Sequence, residues 1–217
     1  MKQLYLDRVG GVLCAEGAGR FDAAARRWEA SPAPARDPIG LREAVRWLQR
    51  DSGMPCRVPI GVIGPRDAKP AERDAAFVIG AGLAGLGLTL ICGGKTGVME
   101  AACDGAASAG GLSLGLLPDN EWTAANRFVG VPIATGIGVA RNAIIARAAL
   151  ALIAVGGGYG TLSEIAFGLQ FSRPVLTLLD APAVSGTLVM ASPEAALDAI
   201  CEIVLNLPLS RTAGEGG

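Results

Sequence analysis

The chain has 217 residues, of which 51% are hydrophobic, with a formal net charge of −1 and no histidine. This length suits one domain of moderate size with an extension, and the lack of a basic excess argues against nucleic acid as a partner. Without histidine there can be no His-containing zinc site, Ser-His-Asp triad or Cys-His dyad, so proton transfer would use Glu, Asp, Lys, Cys or Tyr. No metal site is predicted.

The five cysteines are scattered along the chain, and none belongs to a CxxC pair. An odd number of such cysteines is typical of reduced thiols. The first residues, MKQLYLDRVGG, contain no apolar run long enough for a secretory signal. We therefore expect a cytoplasmic protein.

Residues 1–55 differ from the rest of the chain, since they hold Asp, Arg and Trp and the Pro-rich stretch SPAPARDP. They are predicted to form an accessory segment of a hairpin plus short helices. The hairpin is predicted at Lys2–Asp7 and Val12–Ala15, and the helices at Phe21–Glu29 and at Leu41–Arg50, the second capped by Asp37-Pro38.

From Arg57 onward, apolar strands alternate with helices, which predicts an α/β fold. We expect residues 56–210 to form a doubly wound, mostly parallel Rossmann-like sheet with helices on both faces, followed by a disordered tail at 211–217. The predicted strands are 58–64, Leu86–Cys92, Leu112–Leu117, Leu150–Val155, Pro174–Leu179 and Thr187–Met190, and the predicted helices are Ala71–Gly85, Val98–Ala109, Ile137–Ala148, one from Thr161 and one from Ser192 to Leu205.

The segment Ala75–Gly94 has 20 consecutive uncharged residues, about the length of a membrane-spanning helix. Six glycines interrupt it, however. A helix that ends near Gly85 and a buried strand after it explain the segment better, so no membrane partner is predicted.

The most informative stretch is Ala151–Phe171, in which an apolar run is followed by GGGYGT and then by helical spacing. A strand, a glycine turn and a helix start together form an anion site, because the first N–H groups of the helix are unpaired and lie at the positive end of its dipole. We therefore expect this turn to bind phosphate.

Few charged residues occur near this turn in the sequence. Between Phe128 and Ser172 the charged residues are Arg141, Arg147 and Glu164. On the predicted helix, Leu162, Ile165, Ala166 and Leu169 are expected to face the core, whereas Glu164 lines another side with small neighbours and can face a cavity.

Four glycine or polar loops are predicted at the carboxyl ends of the strands, where ligands bind in such sheets. They are Gly64–Asp67, Gly93–Gly97, Thr135–Gly138 and Gly156–Gly160. None matches GxGxxG followed by an acidic residue or GxxxxGK[ST], which argues against NAD binding and ATP hydrolysis.

Four motifs resemble those of the LOG-like superfamily, long labelled "possible lysine decarboxylase". They are GGKTGVMEAACDGA (93–106), PDNEWTAANR, PIATGIGVARNAI (132–144) and GGGYGTLSE (156–164). The superfamily includes cytokinin-activating phosphoribohydrolases and molybdenum cofactor carrier proteins. The resemblance covers about residues 57–207 and implies a homo-oligomer, commonly a dimer or tetramer, that requires no cofactor for activity.

The phosphoribohydrolases carry PGGxGTxxE and an arginine on the preceding helix. The resemblance implies that the catalytic residues are Arg141 and Glu164. Gly156 replaces the family's proline, and GGGYGT with ARN at 140–142 is closer to the cofactor carriers. The implied ligand- and phosphate-binding residues are Gly93, Gly94, Thr96, Gly97, Thr135, Gly136, Asn142, Gly157, Gly158, Tyr159, Gly160 and Thr161.

Two functions follow as hypotheses. The protein binds a nucleotide-like phosphorylated ligand and hydrolyses the N-glycosidic bond of a nucleoside 5′-monophosphate, with Glu164 supporting the oxocarbenium-like transition state. Alternatively, it is a non-catalytic carrier or sensor of molybdenum cofactor, a phosphorylated pterin, or of a nucleotide. Plainer interpretations also stand: Glu164 can complement the helix dipole, Arg141 can be a structural ion pair, and the glycines can form turns without a ligand.

Overall fold

The computed structural model of the chain describes residues 2–31 and 37–210. The chain divides into two compact units. One runs to Cys56 and resumes at Asp198, and the other is Arg57–Leu197. The predicted tail, 211–217, lies outside the described residues, and its disorder stays a prediction.

The first unit contains a five-stranded antiparallel sheet, one complete helix and the end of a helix that begins in the second unit. The strand order is β4-β3-β2-β1-β5, and β1 and β2 form the predicted hairpin. The elements are β1 (Leu4–Asp7), β2 (Val12–Ala15), β3 (Gly19–Asp22), β4 (Arg27–Glu29), β5 (Asp37–Ile39) and α1 (Leu41–Arg50).

The helix predicted at Phe21–Glu29 is wrong, because this segment forms the β3–β4 hairpin. The Asp22 carboxylate accepts hydrogen bonds from the N–H groups of Ala24 and Ala25, which makes a turn in place of a first helical turn. Phe21 and Trp28 then pair across the strands with ring centroids 5.0 Å apart. Turn chemistry and cross-strand packing outweigh the helix propensity of the alanines.

The predicted cap of α1 is also wrong. Asp37 lies in strand β5, and the helix begins after Gly40, which contributes no side-chain hydrogen bond. The pairing of β5 with β1 holds Asp37 in extended backbone, so its carboxylate is not placed at the helix start.

The second unit contains a seven-stranded sheet with the strand order β12-β11-β10-β6-β7-β8-β9. All six neighbouring pairs are parallel. Its strands are β6 (Ile60–Ile63), β7 (Leu90–Cys92), β8 (Ser113–Leu117), β9 (Val131–Ala134), β10 (Leu152–Val155), β11 (Val175–Leu178) and β12 (Leu188–Val189), and its helices are α2 (Pro70–Gly85), α3 (Val98–Ser108), α4 (Arg141–Ala148), α5 (Tyr159–Gln170) and the start of α6 (Pro193–Val204).

The direction of the chain across the sheet reverses between β6 and β10. Strands β6 to β9 proceed towards one edge, and β10 to β12 towards the other. Because parallel crossovers are right-handed, α2 and α3 cover one face while α4 and α5 cover the opposite face. The predicted doubly wound α/β fold is therefore confirmed. The point of reversal, at the carboxyl ends of β6 and β10, is where such sheets bind ligands.

The apolar segment that resembles a membrane span folds as α2, a short connection and β7. Within the described ranges, no helix combines the length and apolar character needed to cross a membrane.

Helices α2 and α3 pack closely through two glycines. An ideal Cβ on Gly80 would lie 2.0 Å from the carbonyl oxygen of Ala102, and one on Gly105 would lie 2.0 Å from the carbonyl oxygen of Phe77. Neither backbone contact leaves space for a methyl group. The small residues in these helices are thus needed for packing.

Replacing Gly80 with alanine is expected to lower the free energy of unfolding by about 2 kcal/mol, because the added methyl forces the two helices apart. Gly85→Ala is the matched control, since nothing lies within 4 Å of an ideal Cβ there. Urea denaturation of both variants measures the difference. Equal stability of the two variants would show that the helix contact is looser than described.

Candidate functional site

The glycine turn before α5 has backbone geometry that excludes most side chains. Gly156 has a φ of +59° and Gly157 a φ of +138°. An ideal Cβ on Gly157 would lie 2.5 Å from the side chain of Thr161, so the turn folds tightly onto the helix start. The first helical hydrogen bond of α5 runs from the N–H of Leu162 to the carbonyl of Gly158, so the N–H groups of Tyr159, Gly160 and Thr161 have no acceptor within the helix. This is the geometry of an anion site.

Arg141 and Glu164 form a buried ion pair. The Nη1 atom of Arg141, the first residue of α4, lies 3.1 Å from Oε1 of Glu164 on α5. Their side chains are only 7% and 8% exposed. Two residues that are distant in sequence therefore meet beside the glycine turn.

Burial raises the pKa of the Glu164 carboxyl to about 7, even though the Arg141 charge and hydrogen bond act to lower it. Burial also lowers the pKa of the Arg141 guanidinium, and the charge of Glu164 opposes this shift. The carboxyl group can thus exchange a proton near neutral pH, which is the property of a general acid or base.

Arg141 is held by further contacts. Its Nη1 donates to Oδ1 of Asn142, and an ideal Cβ on Gly93 would lie 2.3 Å from its Nη2. Asn142 in turn donates to Oγ of Ser163, at 2.9 Å. Among the described residues, three buried side-chain nitrogens lack a hydrogen-bond partner, and Nε of Arg141 is one of them. A ligand acceptor could satisfy it.

The core face of α5 differs from the predicted stripe. Leu162 and Ala166 are exposed, whereas Glu164 is buried. The helix turns its small and polar residues inward because its partners there include Arg141 and the strand β10. The buried residues are Thr161, Glu164, Ile165 and Gly168.

The Gly93–Gly97 loop borders the same edge of the sheet. Gly94 and Gly97 have φ angles of +67° and +72°, and Gly97 packs against the carbonyl oxygens of Pro65 and Arg66. The hydroxyl of Thr96 donates to the carbonyl of Arg66 at 3.3 Å. These contacts therefore link the loop after β6 to the loop after β7.

Lys95 makes two contacts with the loop after β8. Its Nζ donates to Oδ2 of Asp119 at 2.9 Å and to the carbonyl of Ala124 at 2.8 Å. Its own carbonyl accepts a hydrogen bond from Asn126. Lys95 therefore ties the loop after β8 to the glycine loop. The acidic character of PDNE in that loop is the sequence signal that could have indicated the pair.

Thr135 and Gly136 do not reach the ion pair through a described hydrogen bond. The Thr135 hydroxyl donates to the carbonyl of Leu117 at 2.6 Å, and the N–H of Gly136 donates to that of Asp119 at 3.0 Å. They brace the loop after β8. Tyr159, in contrast, is 93% exposed at the start of α5, where its ring is open to a ligand.

The arrangement combines unpaired N–H groups, a guanidinium with a spare donor and a titratable carboxyl. Such groups can bind a phosphate and place a carboxyl near the atoms attached to it. They are equally suited to retention of an anion without reaction.

A family model described as the SLOG cluster4 family matches residues 57–199. This match confirms the resemblance to the LOG-like superfamily that the motifs predict. The first 56 residues lie outside the match.

Two solved structures are similar over the same part of the chain. A molybdenum cofactor binding protein from the phototrophic bacterium Rippkaea orientalis is 35% identical, with a TM-score of 0.65, over 68% of this chain and 98% of that chain. The molybdenum cofactor carrier protein from Chlamydomonas reinhardtii is 34% identical, with a TM-score of 0.61, over 67% and 98%. An uncharacterized protein from Archaeoglobus fulgidus is 42% identical over 139 residues, which are 64% of this chain and 91% of that protein.

Proposed function

The chain belongs to the SLOG cluster4 family, and on this premise we propose that it binds and carries a small phosphorylated ligand of the molybdenum cofactor class, a pterin phosphate. The observation that carries the proposal is the glycine turn at the start of α5, where unpaired N–H groups lie beside a buried arginine with a spare donor. Similarity to two proteins that bind this cofactor, across 98% of their length, supports it.

The residues present fit a phosphorylated pterin. Gly157, Gly158, Gly160 and Thr161 would hold the phosphate with backbone N–H groups and a hydroxyl, and Nε of Arg141 would add a charged donor. The exposed ring of Tyr159 would stack on the pterin. When bound, the cofactor supplies its molybdenum centre to an acceptor enzyme, and this chain's residues serve retention.

Gly156 favours a carrier over a hydrolase. Proline fixes φ near −65°, whereas this residue has a φ of +59°. The turn therefore cannot adopt the same backbone with the proline of the phosphoribohydrolase motif. The phosphate contacts of the two groups of proteins are expected to differ at this point.

Hydrolysis of a nucleoside 5′-monophosphate is the second candidate, and the Arg141–Glu164 pair favours it. Cleavage of the N-glycosidic bond builds positive charge on the ribose, which a nearby carboxylate stabilises. In this hypothesis Arg141 orients the phosphate-sugar and keeps part of the Glu164 population ionised.

Base release decides between the two candidates. If the protein is a hydrolase, incubation with AMP, GMP, CMP or UMP releases free base, and Glu164→Gln abolishes the release while ligand binding persists. Full activity in that variant would exclude the role of Glu164. No release from any nucleotide, together with retention of a pterin phosphate, is the result expected of a carrier.

We also propose that the protein forms a homo-oligomer, a dimer or a tetramer, in the cytoplasm. Several large apolar side chains are exposed on consecutive elements from edge strand β9 to α4, and apolar surface of this kind marks an interaction site where it forms one patch. They are Val131, Ile133, Ile137, Val139 and Ile144.

A charge in this apolar region is expected to dissociate the oligomer. Val139, which is 79% exposed, is replaced with glutamate, and mass is measured by light scattering during gel filtration. Val189→Glu, on the opposite edge strand, is the control and should keep the wild-type mass. A wild-type protein that is monomeric at every concentration would exclude the proposal.

A further inference from the structure

Glu72 is a buried carboxylate outside the four sequence motifs of the superfamily, and it lies against the glycine turn. It is 4% exposed, in the first turn of α2. Its Oε2 accepts a hydrogen bond of 2.8 Å from the N–H of Lys69. Its Oε1 faces Gly156, because an ideal Cβ on that glycine would lie only 2.0 Å from it.

Gly156 thus has a hydrogen bond on one side and the Glu72 carboxylate in close approach on the other. Its N–H donates to the carbonyl of Leu178, at the end of β11, over 3.1 Å. The Glu72 carboxylate occupies the space that a side chain at 156 would need, and the φ of +59° also favours glycine at this position. The hydrogen bond and the carboxylate together restrict the position at which the turn begins.

The next residue, Gly157, connects Gly156 to the start of α5. Gly157 packs against Thr161, which is only 2% exposed. The backbone therefore has little conformational freedom between Gly156 and the first turn of α5. The direction of the first N–H groups depends on this turn. A group that restricts the backbone of Gly156 therefore also affects the direction of the N–H groups in the anion site.

We propose that Glu72 is a positioning residue of the ligand site, which acts through Gly156 to aim the N–H groups at the start of α5. Gly156 and Glu72 form a matched pair that takes the place of the proline in the phosphoribohydrolase motif. The inference rests on the proposed function, since the positioned groups are those that would hold the phosphate. It extends the site to α2, on the other face of the sheet.

Amide hydrogen exchange in the full chain, followed by mass spectrometry, tests the positioning directly. Glu72→Ala is expected to speed exchange about tenfold in the peptide that covers residues 156–163, because the turn loses its support. Glu72→Gln keeps the shape and the acceptor for Lys69, so it should exchange like the wild type. Glu194→Ala, which removes a first-turn carboxylate from α6, is the control and should leave this peptide unchanged.

Binding of neopterin phosphate provides the second readout. Glu72→Ala and Gly156→Ala are each expected to weaken it about tenfold, and the double variant should be no weaker than Gly156→Ala, because both changes disturb one contact. Glu72→Gln should bind like the wild type.

Either of two results would overturn the inference. One is wild-type exchange of residues 156–163 in Glu72→Ala, and the other is faster exchange spread evenly over the second unit, which would make Glu72 a general stabilising residue. If the wild type binds no pterin phosphate, the proposed function fails, whereas the exchange measurement still decides the role of Glu72.

Discussion

Replacing Glu164 with glutamine is expected to stabilise the protein at pH 8 by about 3 kcal/mol and to change its stability little at pH 4.5. Burial raises the pKa of this carboxyl from 4.5 to about 7 in the folded protein. Below pH 4.5 the carboxyl is protonated in both the folded and the unfolded chain. As the pH rises towards 7, the unfolded chain loses its proton first, so the folded state loses stability.

The amide of glutamine cannot ionise, so the variant does not lose this contribution. The stability difference between variant and wild type should therefore grow between pH 4.5 and pH 7 and then stay constant. Urea denaturation across this range measures it, with Gln170→Ala on the same helix as a control. A constant difference, or a variant that becomes less stable as the pH rises, would contradict the buried, titratable carboxyl. A buried carboxyl that lowers the stability of the folded protein at neutral pH is typical of functional sites.

Replacing Arg141 with methionine is expected to weaken the binding of neopterin phosphate about 100-fold, which corresponds to about 2.7 kcal/mol. The variant loses a charged donor, and it leaves Glu164 without its ion-pair partner in the crevice. Any Glu164 that remains ionised then repels the phosphate. Quenching of pterin fluorescence measures the affinity.

Arg147→Met is the matched control. Arg147 lies on the same helix, is exposed and stacks on the ring of Phe171, with 5.0 Å between its guanidinium carbon and the ring centroid. We expect its replacement to leave the affinity within a factor of about two, because exposed charges contribute little. Equal loss in both variants would indicate that only the overall positive charge matters.

The strand, glycine turn and helix at Ala151–Phe171 were predictable from sequence, because apolar runs and glycines report local backbone preferences. The start of α5 at Tyr159 differs from the predicted Thr161 by two residues. The pairing of Arg141 with Glu164 was also accessible, since few other charges occur in that part of the chain. The first feature depends on local backbone preferences, and the second depends on the scarcity of charges and on the resemblance to the LOG-like superfamily.

Other contacts between distant segments had weaker signals in the sequence or none. Nothing in the sequence around Glu72 indicates that it lies against Gly156, and the acidic residues of PDNE suggest a partner for Lys95 without indicating Asp119 rather than Glu121. Such contacts depend on which loops meet at the sheet edge. The Phe21–Glu29 hairpin was missed for a similar reason, because cross-strand packing of two aromatic rings decided it.

The molybdenum content of the wild-type protein tests the central claim most directly. The protein is incubated with molybdenum cofactor without oxygen and passed through a gel filtration column, and its molybdenum is measured by elemental analysis. We expect the metal to elute with the protein and to saturate at one site per chain, and Arg141→Met to lose most of it. A wild-type protein that elutes without molybdenum would contradict the assignment as a carrier of this cofactor.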